Sequence, residues 1–265
     1  MQKYTLGRKA LNCIYSILLL FTAQPLPALN REIPTFTSVY PHSTIVGYAQ
    51  SSLVSGAKIV TPQFLGIGTE NGQVELQSIK CAEEDSDLVV INTLDAVGAV
   101  VKSYIWVTYG GEGGDEWCWL DGDTMEKPEE PVYFAAGQAL WVEGDSEDNT
   151  FTTSGKVSSS DLEVTLQSGA TMTGNFTPVQ IELQDIVCGE EDSDLVVINT
   201  LDAVGAVVKS YIWVTYGGEG GDEWCWLDGD TMEKPEESVY FAPGEGLWVE
   251  GDSEDNVITF PGVEL

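Results

Sequence analysis

The residues of this chain that could do chemistry are mostly carboxylates. It has 43 Asp and Glu against 11 Lys and Arg, a formal net charge of −32 at pH 7, and a single histidine, His42. A Ser/His/Asp or Cys/His catalyst needs a histidine base beside its nucleophile, and the rest of the chain offers none. Two carboxylates about 5 to 9 Å apart could hydrolyse a glycoside, but so many acids make close pairs by chance. We therefore expect a noncatalytic protein, and an acidic-site glycoside hydrolase is the most distant alternative.

The acidic residues gather in short, glycine-containing segments that recur 107 residues later. Calcium takes six to eight oxygens from carboxylates and carbonyls on sharply turning loops, so these segments offer suitable ligands. They lack the EF-hand order of ligands, and solvated surface charge explains them equally well. Calcium is thus the cofactor they would suit, although the predicted function requires none. The candidate ligands are Asp85, Asp87, Asp121, Asp123, Asp145, Asp148, Asp192, Asp194, Asp228, Asp230, Asp252 and Asp255.

Two tryptophans flank a cysteine in the segment Trp117-Cys118-Trp119. Successive side chains of a strand point to opposite faces, so the two indoles share one face and the thiol lies on the other. If the thiol faces the core, the indoles lie side by side in solvent, about 7 Å apart, as a platform for sugar rings. If the thiol faces outward, the indoles are core. The candidate ligand-binding residues are Trp117, Trp119, Asp115 and Asp121, and in the second copy Trp224, Trp226, Asp222 and Asp228.

Four cysteines follow the N-terminal region: Cys81, Cys118, Cys188 and Cys225. An even number of cysteines in an exported chain indicates disulfides, and four allow three pairings. Because equivalent folds should close in the same way, the repeat favours Cys81 with Cys118 and Cys188 with Cys225. Each bridge would contribute roughly 3 to 4 kcal/mol. A zinc site is the alternative, but two thiols without a nearby histidine leave its coordination incomplete.

An internal duplication organises the chain. Residues 83–149 match residues 190–256 at all but four positions, and weaker similarity extends upstream. Such a repeat has to be recognised before any fold is assigned. We predict four segments: a signal peptide (1–28), a lead-in (29–43), a first β-domain (44–155) and a second β-domain (156–265). No flexible linker separates the two domains, so we expect them to be closely coupled.

Each repeat carries the signals of a β protein. Residues 87–94 and 100–109 are rich in β-branched and aromatic residues and are joined by Asp95-Ala96-Val97-Gly98, a hairpin-type connection. Further strands are predicted at 58–60, 74–79, 116–120, 132–135, 140–142 and 150–153. About seven or eight short antiparallel strands per domain predict an all-β fold of two tandem β-sandwich-like or barrel-like domains.

The N-terminus predicts export. Lys3, Arg8 and Lys9 precede an apolar run over residues 13–23 and a Pro/Ala-rich stretch ending at Ala28, the layout of a secretory signal peptide. The run is too short for a membrane-spanning helix, which needs about 20 residues. The acidic surface repels phosphate backbones and anionic lipids, so nucleic acid is excluded as a partner. A secreted or cell-surface location is expected, with a glycan or a protein as ligand.

Four short segments resemble a group of exported bacterial repeat proteins: Gly47-Tyr48, residues 60–64 (VTPQF), residues 74–79 (VELQSI) and residues 241–249 (FAPGEGLWV). The group has no assigned function, and these motifs are turn and strand signatures that transfer no catalytic residue. The resemblance implies a secreted bacterial β-domain. The predicted function is a noncatalytic binding or surface-structural protein, with a lectin-like, calcium-assisted carbohydrate-binding protein as the sharper alternative.

Overall fold

The chain is built from antiparallel β-sheets. The structure is a computed structural model, and it describes residues 36–38, 45–53, 56–81, 89–111, 114–145, 149–166, 169–189, 196–218, 221–252 and 256–263. The predicted signal peptide, His42 and most of the lead-in lie outside these residues. The described part contains strands and three short 3-10 turns (Glu70–Gly72, Leu76–Ser78 and Leu183–Asp185) and no α-helix, which confirms the all-β prediction.

The strands up to the middle of the chain form two main sheets. These strands are β1 (Phe36–Ser38), β2 (Ile45–Ser52), β3 (Gly56–Val60), β4 (Val74–Glu75), β5 (Lys80–Cys81), β6 (Val89–Leu94), β7 (Val100–Gly111), β8 (Gly114–Asp121), β9 (Tyr133–Phe134), β10 (Leu140–Gly144) and β11 (Thr150–Lys156). One sheet has the order β3-β10-β6-β7-β8 and the other β1-β2-β11-β5, while β4 pairs with β9. This is a sandwich-like arrangement.

The second repeat reproduces that arrangement. Its strands are β12 (Leu162–Thr165), β13 (Gly169–Gly174), β14 (Ile181–Glu182), β15 (Val187–Cys188), β16 (Val196–Leu201), β17 (Val207–Gly218), β18 (Gly221–Asp228), β19 (Tyr240–Phe241), β20 (Gly246–Gly251) and β21 (Val257–Phe260). The sheet orders are β13-β20-β16-β17-β18 and β12-β21-β15, with β14 paired to β19. Equivalent sequences therefore pair in equivalent orders.

Each repeat has a hydrophobic core of its own, drawn from both of its main sheets. In the first repeat Val89 and Ile91 of β6 and Val142 of β10 are fully buried or nearly so, and they pack with Phe151 of β11. These positions alternate along their strands, so one face of each strand supplies the core. The second repeat has the equivalent cluster around Val196, Ile198, Val249 and Ile258.

The predicted strand over residues 74–79 is interrupted. Two residues pair as β4, residues 76–78 form a 3-10 turn, and pairing resumes at β5. Leu76 and Ile79 are both completely buried. In a strand, residues three apart point to opposite faces, whereas a 3-10 turn places positions i and i+3 on the same side. The turn therefore lets both side chains enter the core, and an alternating pattern would have exposed one of them.

The connection between β6 and β7 confirms the predicted hairpin. The Asp95 carboxylate accepts hydrogen bonds from the amides of Val97 and Ala99, at 3.0 and 2.8 Å. Gly98 has φ of +82°, a conformation that costs glycine little. An Asx-type turn with a glycine at the left-handed position thus fixes the start of the long strand β7, which carries the tryptophan described below.

Candidate functional site

The tryptophans of β7 and β8 form a stack on the inner face of the large sheet. Trp106 lies opposite Trp119 in the β7–β8 register, and the two rings are 5.3 Å apart. Trp117 stacks on Trp106 at 6.1 Å with an interplanar angle of 20°. The indole of Trp119 is fully buried and donates to the carbonyl of Ile79 at 2.9 Å. The second repeat repeats these contacts.

The stack decides between the two arrangements that the sequence left open. Trp119 and its counterpart Trp226 are core residues, so a side-by-side pair of solvent-exposed indoles is not formed. The physical reason is the large apolar area of an indole, about 150 to 250 Å², together with a backbone carbonyl placed to receive its N–H. Trp117 and Trp224 are only half-buried, and they are the indoles that a ligand can reach.

All four cysteines are buried free thiols, so the predicted Cys81–Cys118 and Cys188–Cys225 disulfides are not formed. Cys81 belongs to the core cluster that contains Trp119. Cys118 precedes Trp119 on β8 and therefore points to the opposite face of that strand. Burial raises the pKa of the Cys81 thiol and of its counterpart Cys188 well above the ordinary value, so both stay protonated at neutral pH.

A groove of about 400 Å³ runs alongside β8. Its walls are β8 itself, the 3-10 turn after β4, and the segment that leads from β8 to β9. The lining residues are Glu75, Leu76, Gln77, Lys80, Glu116, Trp117, Cys118, Lys127, Pro128, Glu129, Glu130, Pro131 and Val132. The groove thus combines one indole and two prolines with four carboxylates and two ammonium groups.

The groove has a fixed wall because Gln77 binds the edge of β8. Its side-chain amide donates to the carbonyl of Trp119 at 2.9 Å and accepts from the Trp119 amide at 3.2 Å. These are the two bonds that a neighbouring strand would supply. Gln184 makes the same pair of bonds with Trp226. The amide side chain therefore takes the place of a sixth strand at this point of the sheet.

Two lysines reach into the groove in different ways. Lys127 is ion-paired with Glu116, and its ammonium lies 5.6 Å from the centre of the Tyr109 ring. Lys80 lies 5.3 Å from the centre of the Trp106 ring. Cation–π contacts of this kind contribute about 0.5 to 1 kcal/mol at exposed sites. Both contacts hold a positive charge at a defined place in a groove that is otherwise rimmed with carboxylates.

The second repeat has an equivalent groove of about 400 Å³ alongside β18. Its lining residues are Glu182, Leu183, Gln184, Glu223, Trp224, Cys225, Lys234, Pro235, Glu236, Glu237, Ser238 and Val239. Lys234 is ion-paired with Glu223, as its counterpart is in the first groove. Two differences stand out: the position of Lys80 is taken by Val187, and that of Pro131 by Ser238.

The acidic pair Asp121 and Asp123 binds a lysine of its own chain. The Lys102 ammonium lies 2.7 Å from one carboxylate and 2.8 Å from the other, and Lys209 does the same for Asp228 and Asp230. The hydrogen bond from Lys102 lowers the pKa of Asp121 below its usual value. An internal cation thus holds these two candidate calcium ligands in each repeat.

The other candidate ligands are scattered or lie outside the described residues. Asp145 and Asp252 are exposed, and Asp145 accepts a hydrogen bond from Asn149. Within the described ranges no group of three or more His, Cys, Asp or Glu side chains is arranged to hold a metal ion. The positions outside the described side chains are Asp85, Asp87, Asp115, Asp148, Asp192, Asp194, Asp222 and Asp255.

Sequence reasoning found Trp117 and Trp224 but missed most of the groove. Gln77, Lys127 and the segment 128–132 were not singled out, although Glu-Leu-Gln recurs at residues 75–77 and 182–184. That recurrence in the diverged part of the repeat was the available signal. Among the described residues no helix is long and apolar enough to cross a membrane. Comparisons of the chain with protein-family models, with curated proteins and with solved structures find no match.

Proposed function

We propose that this chain is an exported, noncatalytic binding protein with two equivalent ligand grooves, one alongside β8 and one alongside β18. The observation that carries the proposal is the duplication of the groove. Each one presents a half-buried indole, Trp117 or Trp224, beside an ion pair, Glu116–Lys127 or Glu223–Lys234. A single binding face displayed twice can hold a weak ligand through avidity.

The lining favours a neutral glycan as the ligand. A partly exposed indole offers an apolar face to a sugar ring, and carboxylates such as Glu129 and Glu130 can accept hydrogen bonds from its hydroxyl groups. Ligand sites commonly pair apolar walls with a few polar groups in this way. The net charge of −32 argues against polyanions such as nucleic acid. The candidate platform is therefore one indole per groove, supported from behind by Trp106 or Trp213.

Export is part of the proposal and rests on residues 1–28, whose charge and apolar pattern is that of a signal peptide. The resemblance of the strand and turn motifs to exported bacterial repeat proteins supports the same location. Calcium is the cation that the remaining acidic loops would suit. A rise in melting temperature on adding calcium, reversed by a chelator, would support that cation; no change would contradict it.

Affinity gel electrophoresis on neutral polysaccharides tests the binding function. We expect an α-glucan, a β-glucan or a galactomannan to retard the wild-type chain, and expect the paired change Trp117→Ala with Trp224→Ala to abolish the retardation. The single changes should retain weak binding, because avidity is lost while one groove remains. The matched control is Tyr133→Ala with Tyr240→Ala, since these exposed aromatics do not line either groove.

Three results would count against the proposal. Unchanged retardation of the double tryptophan variant would place binding elsewhere, provided circular dichroism shows an intact fold. No retardation of the wild-type chain by any polymer would favour a surface-structural role. Release of reducing ends from a polymer would make the chain a hydrolase and contradict the noncatalytic assignment.

A further inference from the structure

The two repeats contact each other through reciprocal pairs of residues. Upstream of the near-identical block the repeats are offset by 113 residues, and within it by 107. The amide of Ala57 donates to the carbonyl of Ala203 at 3.3 Å, and the amide of Ala170 donates to the carbonyl of Ala96 at 3.0 Å. Ala170 is the counterpart of Ala57, and Ala203 is the counterpart of Ala96. Each contact is therefore made twice with the roles of the repeats exchanged.

A second reciprocal pair lies at the ends of β3 and β13. Val60 bridges to Glu245, and Thr173 bridges to Gln138. The offsets again convert one bridge into the other. The neighbouring backbone follows the same rule: the amide of Ala139 donates to the carbonyl of Met172 at 3.1 Å.

A third reciprocal pair joins a tryptophan to a hairpin glycine. A Cβ added at Gly205 would lie 2.9 Å from the Trp141 ring, and one added at Gly98 would lie 3.1 Å from the Trp248 ring. Each glycine belongs to the β6–β7 or β16–β17 hairpin of one repeat, while each ring stands on β10 or β20 of the other. The rings therefore rest directly on the backbone of the opposite hairpin.

Contacts that occur twice with exchanged roles define a two-fold interface, in which one surface patch is complementary to itself. This interface is also closed to solvent near its centre. Thr173 is fully buried and its hydroxyl donates to the carbonyl of Gly137 at 2.8 Å, and Ala139 is fully buried as well. The three reciprocal pairs thus surround a dry contact with a satisfied polar group.

We infer that the two repeats form a covalently linked two-fold dimer, in which the surface built from the ends of β3 and β10 and the β6–β7 hairpin of one repeat binds the equivalent surface of the other. The partner that fits this surface is a second copy of the repeat. The peptide connection raises the effective concentration of the partners and is not what holds them in register.

The experiment starts from the intact chain. A site-specific protease sequence is placed between Ser159 and Ser160, which are exposed in the connection between β11 and β12. After cleavage, size-exclusion chromatography over a dilution series follows the association of the halves, and circular dichroism follows their fold. We expect the cut halves to elute together at micromolar concentration and to separate only on further dilution.

Two further measurements show that the two-fold surface is responsible. The change Trp141→Ala with Trp248→Ala should raise the dissociation constant of the halves at least tenfold, since both rings leave the opposite hairpin. The matched control, Val97→Ala with Val204→Ala, changes exposed residues of the same hairpins and should leave it unaltered. Native mass spectrometry after dilution and reconcentration should detect pairs of like halves beside the mixed pair, because the surface is self-complementary.

The inference fails if the cut halves separate at once with their strand signal intact, since the repeats would then be independent units. It also fails if they unfold on cleavage, because the covalent connection would then be essential. Unchanged association in the double tryptophan variant, or mixed pairs alone in the mass spectrum, would show that the halves hold together without the two-fold surface.

Discussion

The side-chain amide of Gln77 binds both the N–H and the C=O of Trp119, at 3.2 and 2.9 Å. Trp119 stands on β8, the last strand of the five-stranded sheet. An edge strand exposes unpaired backbone groups that invite further pairing. Gln77 satisfies two of them and at the same time joins the turn after β4 to the wall of the groove. One side chain therefore links the stability of the sheet edge to the shape of the candidate site.

Replacing this glutamine should destabilise the edge of the sheet. We expect Gln77→Leu to lower the free energy of unfolding by about 1 to 3 kcal/mol, because two backbone groups beside a buried tryptophan lose their partners. Urea denaturation measures the change, and hydrogen exchange of the Trp119 amide should accelerate. Gln184→Leu is the matched variant in the second repeat and should affect the Trp226 amide alone. Unaltered exchange at both amides would contradict the role of the glutamines.

The thiols should be free but unreactive in the folded chain. Burial raises the pKa of Cys81 and Cys188, and the thiolate is the reactive form. Alkylation at pH 8 should therefore be slow for the native protein, whereas denaturation without reductant should expose four alkylatable thiols, counted by mass spectrometry. Fewer than four would show that disulfides form after all. A cysteine that reacts rapidly in the native state would contradict the burial of the thiols.

Stability should fall in acid partly because of Asp121. Lys102 lowers the folded-state pKa of this carboxyl, so its stabilising effect is complete above the unfolded value of about 3.9 and is lost as the pH falls through the lower folded value. We expect Lys102→Met to be less stable than wild type at pH 6 and to differ less from it at pH 2. Thermal melts at both pH values measure the difference, and Lys209→Met should behave alike. A difference that grows toward pH 2 would contradict the assignment.

The buried hydroxyl between the repeats should contribute to the stability of the whole chain. Thr173→Val removes the donor to the Gly137 carbonyl, and a buried polar group without a partner costs about 1 to 3 kcal/mol. We expect the midpoint of urea unfolding to fall accordingly. Thr165→Val, an exposed threonine of β12, serves as the control and should change stability little. Equal effects of the two substitutions would argue against the bond across the repeats.

Local pattern reasoning succeeded where a signal lies within a few neighbouring residues. The Asp95–Gly98 turn has the residues that a hairpin demands, and the structure forms it. The reasoning was incomplete at residues 76–79, because an apolar spacing of three and an alternating strand look similar in so short a run. Burial of both Leu76 and Ile79 resolves the ambiguity in favour of a turn, and this depends on the core against which they pack.

The candidate site shows the same division. That Trp117 and Trp119 share a face follows from strand geometry alone, but which face points inward depends on the partner strand. Trp106 and the carbonyl of Ile79 together make the inner face the aromatic one. The same choice turns Cys118 away from Cys81 and so removes the basis for the predicted disulfide.

The sequence by itself determined the duplication, the β character of both repeats and the acidic surface, because repetition, residue type and charge are written along the chain. The tertiary structure decided which side of each strand faces the core, which lysine pairs with which carboxylates, and how the repeats meet. Those outcomes depend on residues far apart in sequence, such as Gln77 with Trp119 and Trp141 with Gly205, which folding alone brings within contact distance.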